Sequence, residues 1–253
     1  MRKPRVCVLR TAGTNCDYET AFAFKRAQAE VELVHINTLL KAERNLLQYH
    51  ILALPGGFTY GDDIAAGKVF ANELRCRLRQ SLTEFVLNGR LIIGICNGFQ
   101  ILVKSGLLPG NTQWTQEASL IINDSGLFRD EWVYLRHQPQ SSECVWTRNI
   151  PTTIYLPIAH GEGKFVVKNK EVLERIKANR QIVFRYVNNP NGSVEDIAGI
   201  CDKTGRILGL MPHPERHIDV YQHPHWHKTA SNNDGHGLLI FRNGVEYAKR
   251  HLV

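Results

Sequence analysis

An apolar run that leads straight into a cysteine-containing turn constrains the fold of this chain more than any other feature. Residues 91–95 read LIIGI, residues 96–98 read Cys-Asn-Gly, and a second apolar segment follows. A strand that is apolar on both faces must be covered on both faces, as in a parallel sheet enclosed by helices. The run therefore predicts a central parallel strand, and residues 97–105 predict a helix that ends before Gly106.

The rest of the first hundred residues alternates between strand-like and helix-like segments. Further strands are predicted at residues 5–10, 31–36 and 49–54, and helices at residues 17–30 and within 65–87. This alternation favours a doubly wound α/β fold, with a mostly parallel sheet and helices on both of its faces.

The second half of the chain is richer in strands. They are predicted at residues 118–123, 132–137, 153–156, 164–167, 181–187, 197–201 and 206–210, with helices at 173–179 and 237–251. The stretch Asp202-Lys203-Thr204-Gly205 predicts a hairpin turn between the last two strands. We therefore expect antiparallel strands appended to the parallel sheet, and a single domain over residues 1–253.

Length and composition are those of an ordinary globular protein. The chain has 253 residues, of which 43% are apolar and 22% are charged, enough to bury a sizeable core. No apolar run could span a bilayer, and the apolar stretch near the N-terminus is too short for a signal peptide. We expect a cytosolic protein in which the six cysteines, none in a CxxC pair, are free thiols.

The net charge of +7 has two interpretations. One is nucleic-acid binding, and the other is a mildly basic surface that faces an acidic partner. Because lysine and arginine are spread along the chain without a basic run, the second interpretation is favoured, and neither nucleic acid nor a membrane is expected as a partner.

The motif Gly94-x-Cys96-x-Gly98 has the form of a nucleophile elbow. A nucleophile at a sharp strand-to-helix turn adopts a strained backbone, and the glycines remove side chains that would collide there. The thiol then projects at the carboxyl edge of the sheet, and the N-terminus of the next helix favours thiolate and offers its N–H groups, Asn97 first, to an oxyanion. The alternative is a cysteine that is merely buried at a tight junction.

A candidate base follows the strand at 206–210, in the sequence Pro-His-Pro-Glu. The two prolines that flank His213 should hold this segment extended, so that His213 and Glu215 face the same side. The carboxylate could then orient the imidazole and stabilise its protonated form. The alternative is a polar turn with an incidental histidine.

Paired glycines at 56–57 end the strand at 49–54 and suggest a second oxyanion donor, although a plain glycine turn is the alternative. Together the three motifs predict thiolate attack on an amide or ester carbonyl, an acyl-enzyme, and its hydrolysis.

These motifs resemble the triad (class I) glutamine amidotransferases, and longer blocks are similar to the glutaminase subunits of phosphoribosylformylglycinamidine (FGAM) synthase. The blocks lie at residues 13–20, 54–68, 94–102, 158–165 and 188–216. The resemblance implies a flavodoxin-like fold. It also implies roles for the nucleophile Cys96, the base His213, its orienter Glu215, the oxyanion donors Gly57 or Phe58 and Asn97, and the glutamine-binding Gln100.

The resemblance further implies that this chain hydrolyses glutamine and passes ammonia to a synthetase subunit, PurL, with a small subunit, PurS, in the assembly. That partner would use ATP and Mg²⁺ to convert formylglycinamide ribonucleotide (FGAR) to FGAM in purine biosynthesis. No cofactor or metal is expected in this chain, which has no P-loop.

Three segments depart from the family pattern or from the triad. Residues 9–13 replace the usual start of the first loop. Residues 217–237 form an extension with three closely spaced histidines, interpreted as an exposed loop that contacts the synthetase rather than as a metal site. Residues 160–163, His-Gly-Glu-Gly, are interpreted as a flexible loop at the mouth of the site or at a subunit interface.

Two other hypotheses remain open at this stage. One is a different hydrolase with a Cys–His–Glu site, such as a peptidase or a γ-glutamyl hydrolase. The other is a non-catalytic basic binding module with a packed cysteine, which would leave the three motifs unexplained together.

Overall fold

The apolar run at the centre of the sequence is a central strand. The computed structural model describes residues 2–110, 113–137, 143–228 and 234–253. Within them, Leu91–Ile95 is buried at every residue and is hydrogen-bonded parallel to a neighbouring strand on each side. This confirms the prediction that both faces of the strand are covered.

The described residues contain one nine-stranded sheet and one two-stranded sheet. In chain order the strands are β1 (Arg5–Arg10), β2 (Glu30–His35), β3 (Ile51–Leu54), β4 (Leu91–Ile95), β5 (Ala118–Ile121), β6 (Arg129–His137), β7 (Thr153–His160), β8 (Lys164–Val167), β9 (Ile182–Tyr186), β10 (Ile197–Cys201) and β11 (Ile207–Leu210). The large sheet has the order β2-β1-β3-β4-β11-β10-β9-β6-β7, and β5 pairs with β8. Pairing is parallel from β2 to β11 and antiparallel from β11 to β7.

Helices cover the sheet. They are α1 (Asp17–Arg26), α2 (Ile36–Leu40), α3 (Lys68–Arg77), α4 (Arg79–Leu87), α5 (Asn97–Ser105), α6 (Lys170–Ala178) and α7 (His236–His251). Helix α1 packs on α7, with the rings of Phe24 and Phe241 4.9 Å apart. Helix α5 packs on α3 and on strands β3, β4 and β11. The doubly wound α/β fold with appended antiparallel strands is thus confirmed, and the antiparallel strands continue the same sheet.

Several predicted boundaries were wrong in detail. Helix α1 ends at Arg26 rather than residue 30, because Gln28 has a positive φ of 70° and starts the turn into β2. The segment 65–87 holds two helices, separated at Leu78, where the backbone leaves the helical region. Strand β7 runs on to His160, because it pairs with β6 along its whole length.

The hairpin at residues 202–205 is confirmed, since β10 and β11 pair antiparallel across it. One cluster of buried apolar side chains extends from Val6 to Ala248 and so includes both halves of the chain. This continuity supports our interpretation of the chain as one domain.

Across the described parts of the chain, no helix is both long enough and apolar enough to cross a membrane. All six cysteines are free thiols, in agreement with the sequence.

Candidate active site

Three adjacent strand ends bring the sequence motifs together. Strands β3, β4 and β11 are parallel neighbours, with Leu54 level with Gly94 and Ile95 level with Leu210. Parallel neighbours end at the same edge of a sheet, where open α/β sheets bind ligands. The glycine loop, Cys96 and the His213 segment therefore leave the sheet side by side.

Cys96 occupies a strained turn between β4 and α5, as the elbow predicts. Its backbone has φ +51° and ψ −105°, a rare conformation for a residue with a side chain. A Cβ on Gly98 would lie 1.9 Å from the carbonyl oxygen of Leu54, and one on Gly94 would lie 2.6 Å from that of Gly98. Glycine is therefore required on both sides of the cysteine, so that α5 can approach the sheet.

His213 and Glu215 form a buried hydrogen-bonded pair. Nδ1 of His213 lies 2.6 Å from Oε1 of Glu215, and the two residues are 2% and 1% exposed. The predicted extended backbone was wrong, because residues 214–216 form a short 3₁₀ turn closed by a bond from the Arg216 N–H to the His213 carbonyl. Pro214 favours this turn, because the first residue of a helical turn has no acceptor for its N–H group and proline has no N–H group.

The electrostatics of the pair favour a charged imidazole. Burial by itself lowers the pKa of His213, but the charges of Glu215 and Cys96 outweigh it and raise that pKa well above its ordinary value. Nε2 of His213 is buried without a hydrogen-bond partner among the described residues. Because Nδ1 is held by Glu215, Nε2 is the ring nitrogen that remains available for proton exchange.

The glycine loop offers Gly57 as a candidate backbone donor. The N–H of Phe58 donates to the carbonyl of Gly13 at 2.8 Å, and the Phe58 side chain is exposed. Gly57 has φ +142°, and a Cβ there would lie 2.7 Å from the backbone of residues 13 and 15. Of the two predicted alternatives, Gly57 is the better candidate for the oxyanion hole. The N–H of Asn97, in the first turn of α5, is the second candidate, since such N–H groups have no acceptor within the helix.

The side chains of Asn97 and Gln100 are engaged with the protein. The Asn97 amide donates to Gln100 Oε1 at 2.8 Å, and its oxygen accepts from Thr59 Oγ1 at 2.7 Å. Gln100, 3% exposed, donates from Nε2 to the carbonyl of Glu162 at 2.7 Å. Gln100 therefore forms part of the wall of the site, and its contact with glutamine stays a prediction.

The segment at 160–163 is bonded to two other parts of the chain, and its interpretation as a flexible loop at the mouth of the site or at a subunit interface stays a prediction. His160 is buried at the end of β7. The Glu162 carboxylate accepts the Ala66 N–H and pairs with the buried Lys104 ammonium at 3.3 Å, and Lys104 also donates to the Ala66 carbonyl at 2.7 Å. These bonds connect the segment to α5 and to the loop after the paired glycines.

Sequence reasoning gave no individual role to three residues that lie near Cys96 or His213. The Ala159 carbonyl lies 3.7 Å from Cys96 Sγ. Tyr186 is buried, and both its burial and the nearby Cys96 raise the pKa of its phenol. Burial, with a smaller effect from His213, lowers the pKa of His160 to about 4, so that this imidazole is neutral near pH 7. Ala159 and His160 lie within the block at residues 158–165 and Tyr186 lies in none of the blocks, but only the pairing of β7 and β9 into the sheet reveals where the three residues lie.

One group of side chains near the base has the composition of a metal site. The ligand atoms of Cys16, His213 and Glu215 all lie within 4.8 Å of one another. However, a guanidinium nitrogen of Arg216 lies 3.2 Å from Cys16 Sγ, and this positive charge disfavours a cation there. The group therefore fits a hydrogen-bonded support better than a metal centre.

The histidine-rich extension is described except at residues 229–233, which lie outside the described residues. His217 is buried, and its Nδ1 lies 2.7 Å from the Tyr155 carbonyl oxygen. The ring centres of His217 and Trp132 are 5.1 Å apart. His225 and His227 are exposed. The interpretation of this segment as a surface that contacts the synthetase stays a prediction.

The fold and this site define a class of protein. The family model described as the CobB/CobQ-like glutamine amidotransferase domain matches residues 3–248. The chain therefore belongs to the glutamine amidotransferase family, and the resemblance noted in its sequence is confirmed.

Extensive similarities occur within one branch of that family. The chain is 46% identical over 257 residues to phosphoribosylformylglycinamidine synthase subunit PurQ of Dehalococcoides mccartyi, covering 99% of this chain and 100% of that protein. It is 42% identical over 268 residues to PurQ of Methanococcus maripaludis, covering 96% and 97%. The solved structure of PurLQS from Thermotoga maritima contains a chain with 33% identity and a TM-score of 0.77, covering 97% of this chain and 99% of that one. These similarities place the chain in the PurQ branch.

Proposed function

We propose that this chain is the glutaminase subunit of FGAM synthase. It hydrolyses glutamine at Cys96 and delivers ammonia to an ATP-dependent synthetase subunit that converts FGAR to FGAM. The observation that carries the proposal is the meeting of Cys96, the His213–Glu215 pair and the glycine loop at three adjacent strand ends. Full-length similarity to PurQ supports the choice of substrate and pathway.

The first half of the reaction forms an acyl-enzyme. Nε2 of His213 takes the Cys96 proton, and the thiolate attacks the side-chain amide carbon of glutamine. The N–H groups of Gly57 and Asn97 stabilise the resulting oxyanion. The carbon–nitrogen bond then breaks, His213 returns the proton to the leaving nitrogen, and ammonia departs from a glutamyl thioester.

The second half regenerates the enzyme. His213 activates a water molecule, which attacks the thioester carbon, and the carbon–sulfur bond breaks to release glutamate and the Cys96 thiol. Glu215 holds the imidazole through Nδ1 and stabilises its protonated form in both halves. Water consumed and ammonia released balance the hydrolysis of one amide.

The partner is part of the proposal. A relative of this chain occurs in a structure described as PurLQS, and we propose that a PurL-type synthetase and a PurS-type small subunit assemble with this chain in the cytoplasm. ATP and Mg²⁺ act at the synthetase. Because an uncoupled glutaminase would waste glutamine, we expect the isolated chain to be weakly active.

The test replaces Cys96 with alanine in the reconstituted complex. Cys96→Ala should abolish the glutamine-supported conversion of FGAR and leave the ammonia-supported conversion intact, because ammonia bypasses the thiol. A glutamine-mimicking diazo-ketone should label Cys96 in the wild type.

Equal loss of both conversions would make Cys96 structural and overturn the proposal. Rapid, partner-independent turnover of peptides would instead favour a peptidase or a γ-glutamyl hydrolase.

A further inference from the structure

A second buried cysteine lies beside the base. Cys16 is 1% exposed and occupies the N-cap position of α1, where its side chain makes no capping hydrogen bond. Its Sγ lies within 4.8 Å of a ring nitrogen of His213 and of a carboxylate oxygen of Glu215. The proposed mechanism gives this thiol no role.

Cys16 also holds the glycine loop. Its backbone N–H donates to the carbonyl of Gly56 at 3.2 Å. Gly56 in turn has no room for a side chain, because a Cβ would lie 2.8 Å from Cε1 of His213 and 3.1 Å from the Cys16 sulfur. The imidazole, the glycine and the thiol therefore pack against one another, and displacement of one would move the others.

Hydrogen bonds fix the thiol from two directions. Nη2 of Arg216 donates to Sγ at 3.2 Å, and Sγ donates to Oδ1 of Asn15 at 3.2 Å. Arg216 is itself held by Glu19 of α1, at 3.0 and 3.1 Å. Because Arg216 directly follows Glu215, this arrangement fastens the turn that carries the triad to the start of α1.

The thiol is neutral in this position. Burial raises the pKa of Cys16 to about 11, although contact with His213 opposes the change. A neutral thiol can accept from Arg216 and donate to Asn15 at once, whereas a thiolate could only accept. Cys16 is thus suited to support rather than to nucleophilic attack.

We propose that Cys16 is a positioning residue, which holds the His213–Glu215 pair and the Gly56–Gly57 peptide in one fixed relation to each other. The inference rests on the proposed function, in which His213 is the base and Gly57 an oxyanion donor. A shift of the base relative to the oxyanion hole lowers the rate of the chemical step more than it lowers substrate binding.

The kinetic test uses the complete complex with Cys16→Ala, Cys16→Ser and a matched control, Cys7→Ala. Cys7 is equally buried but lies in β1. We expect Cys16→Ala to lower the glutamine-supported kcat on the order of tenfold with little change in KM. Serine keeps a donor and an acceptor, so Cys16→Ser should restore most of the rate, and Cys7→Ala should leave it unchanged.

A second readout does not need glutaminase activity. The rate of Cys96 alkylation by iodoacetamide is followed against pH by mass spectrometry of the peptide that contains Cys96. Contact with Cys16 helps to raise the pKa of His213. The step in the alkylation profile that reports the protonation of His213 should therefore move to lower pH in Cys16→Ala and stay in place in Cys7→Ala.

The outcomes are separable. If Cys16→Ala folds with an unchanged melting temperature and shows the wild-type kcat and alkylation profile, the positioning role is overturned. If Cys7→Ala produces the same changes as Cys16→Ala, the effect is one of general packing and the inference also fails. If the wild type itself lacks glutamine-supported activity, the proposed function fails, and the alkylation profile still decides the role of Cys16.

Discussion

Replacing Glu215 by glutamine tests how much of the chemistry depends on one buried hydrogen bond. The carboxylate lies 2.6 Å from Nδ1 of His213, and the two side chains are 0% and 3% exposed. Breaking a buried charge pair costs about 3–5 kcal/mol. The amide oxygen of the introduced glutamine side chain still accepts the Nδ1–H and so keeps part of this free energy. The transition state should then lose about 2–4 kcal/mol of stabilisation. At about 1.4 kcal/mol for each factor of ten, Glu215→Gln should lower kcat/KM for glutamine roughly 30- to 1,000-fold.

The assay compares glutamine-supported and ammonia-supported conversion of FGAR by the reconstituted complex. The ammonia-supported rate is the internal control, since it does not use the triad. Glu174→Gln is the matched control, because Glu174 pairs with Lys177 on the surface of α6, where such pairs contribute little. A folded Glu215→Gln complex with a glutamine-supported kcat/KM within threefold of the wild type would refute the role of the pair.

The same substitution has a predicted dependence on pH. Although burial opposes it, Glu215 helps to hold the pKa of His213 above its ordinary value of 6.5. A raised histidine pKa stabilises the fold below the unfolded value and loses this effect as the pH rises through the folded value. The free energy of unfolding should therefore differ more between wild type and Glu215→Gln near about pH 6 than near about pH 9. Urea denaturation at both values measures the difference, and a gap that widens with pH would contradict the assignment.

Two further experiments test the supports of the site. Gly98→Ala should lower the free energy of unfolding by about 1–3 kcal/mol or more, because the new Cβ would lie 1.9 Å from the Leu54 carbonyl oxygen. Thermal denaturation measures the loss, with Gly126→Ala as the control. A Cβ on Gly126 would have no atom within 4 Å, so this substitution adds only the backbone strain of a φ of 66°. Lys104→Met and Glu162→Gln should each destabilise the chain, and a double-mutant cycle should give a coupling of about 0.5–3 kcal/mol. Additive losses would mean that the 3.3 Å ion pair contributes nothing.

The sequence predicted the parallel half of the sheet well, because burial on two faces leaves a simple pattern. Strand β4 was predicted with its observed bounds, and the glycines around Cys96 followed from the sterics of a tight turn. The residues of the proposed triad could be named because each follows a strand, and parallel strands end at one edge. Local backbone detail was less predictable, as the turn after His213 illustrates.

Residues to which no motif assigns a role could not be predicted, since they reach the site through pairing of distant strands. Ala159 and Tyr186 come from β7 and β9, and their approach to Cys96 depends on the antiparallel order of the second half of the sheet. Glu162 lies in a segment that the sequence singled out, but only the structure reveals its bond to Lys104, 58 residues away in the chain. Contacts between residues this far apart in the chain produce no regular residue spacing, so the sequence alone cannot reveal them.

The two supports of the site share one physical design. Arg216 and Lys104 are both cations, of which Arg216 donates to the Cys16 sulfur and Lys104 to the Ala66 carbonyl. Each is also paired with a glutamate from another segment. A loop that contains paired glycines has many conformations to lose, so an N–H group of that loop becomes a dependable oxyanion donor only when its neighbours are fixed. The buried polar contacts at Cys16 and at Glu162 supply that fixation from opposite ends of the loop, at Gly56 and at Ala66. We therefore expect the reactivity of Cys96 to depend on these contacts as well as on the proposed triad.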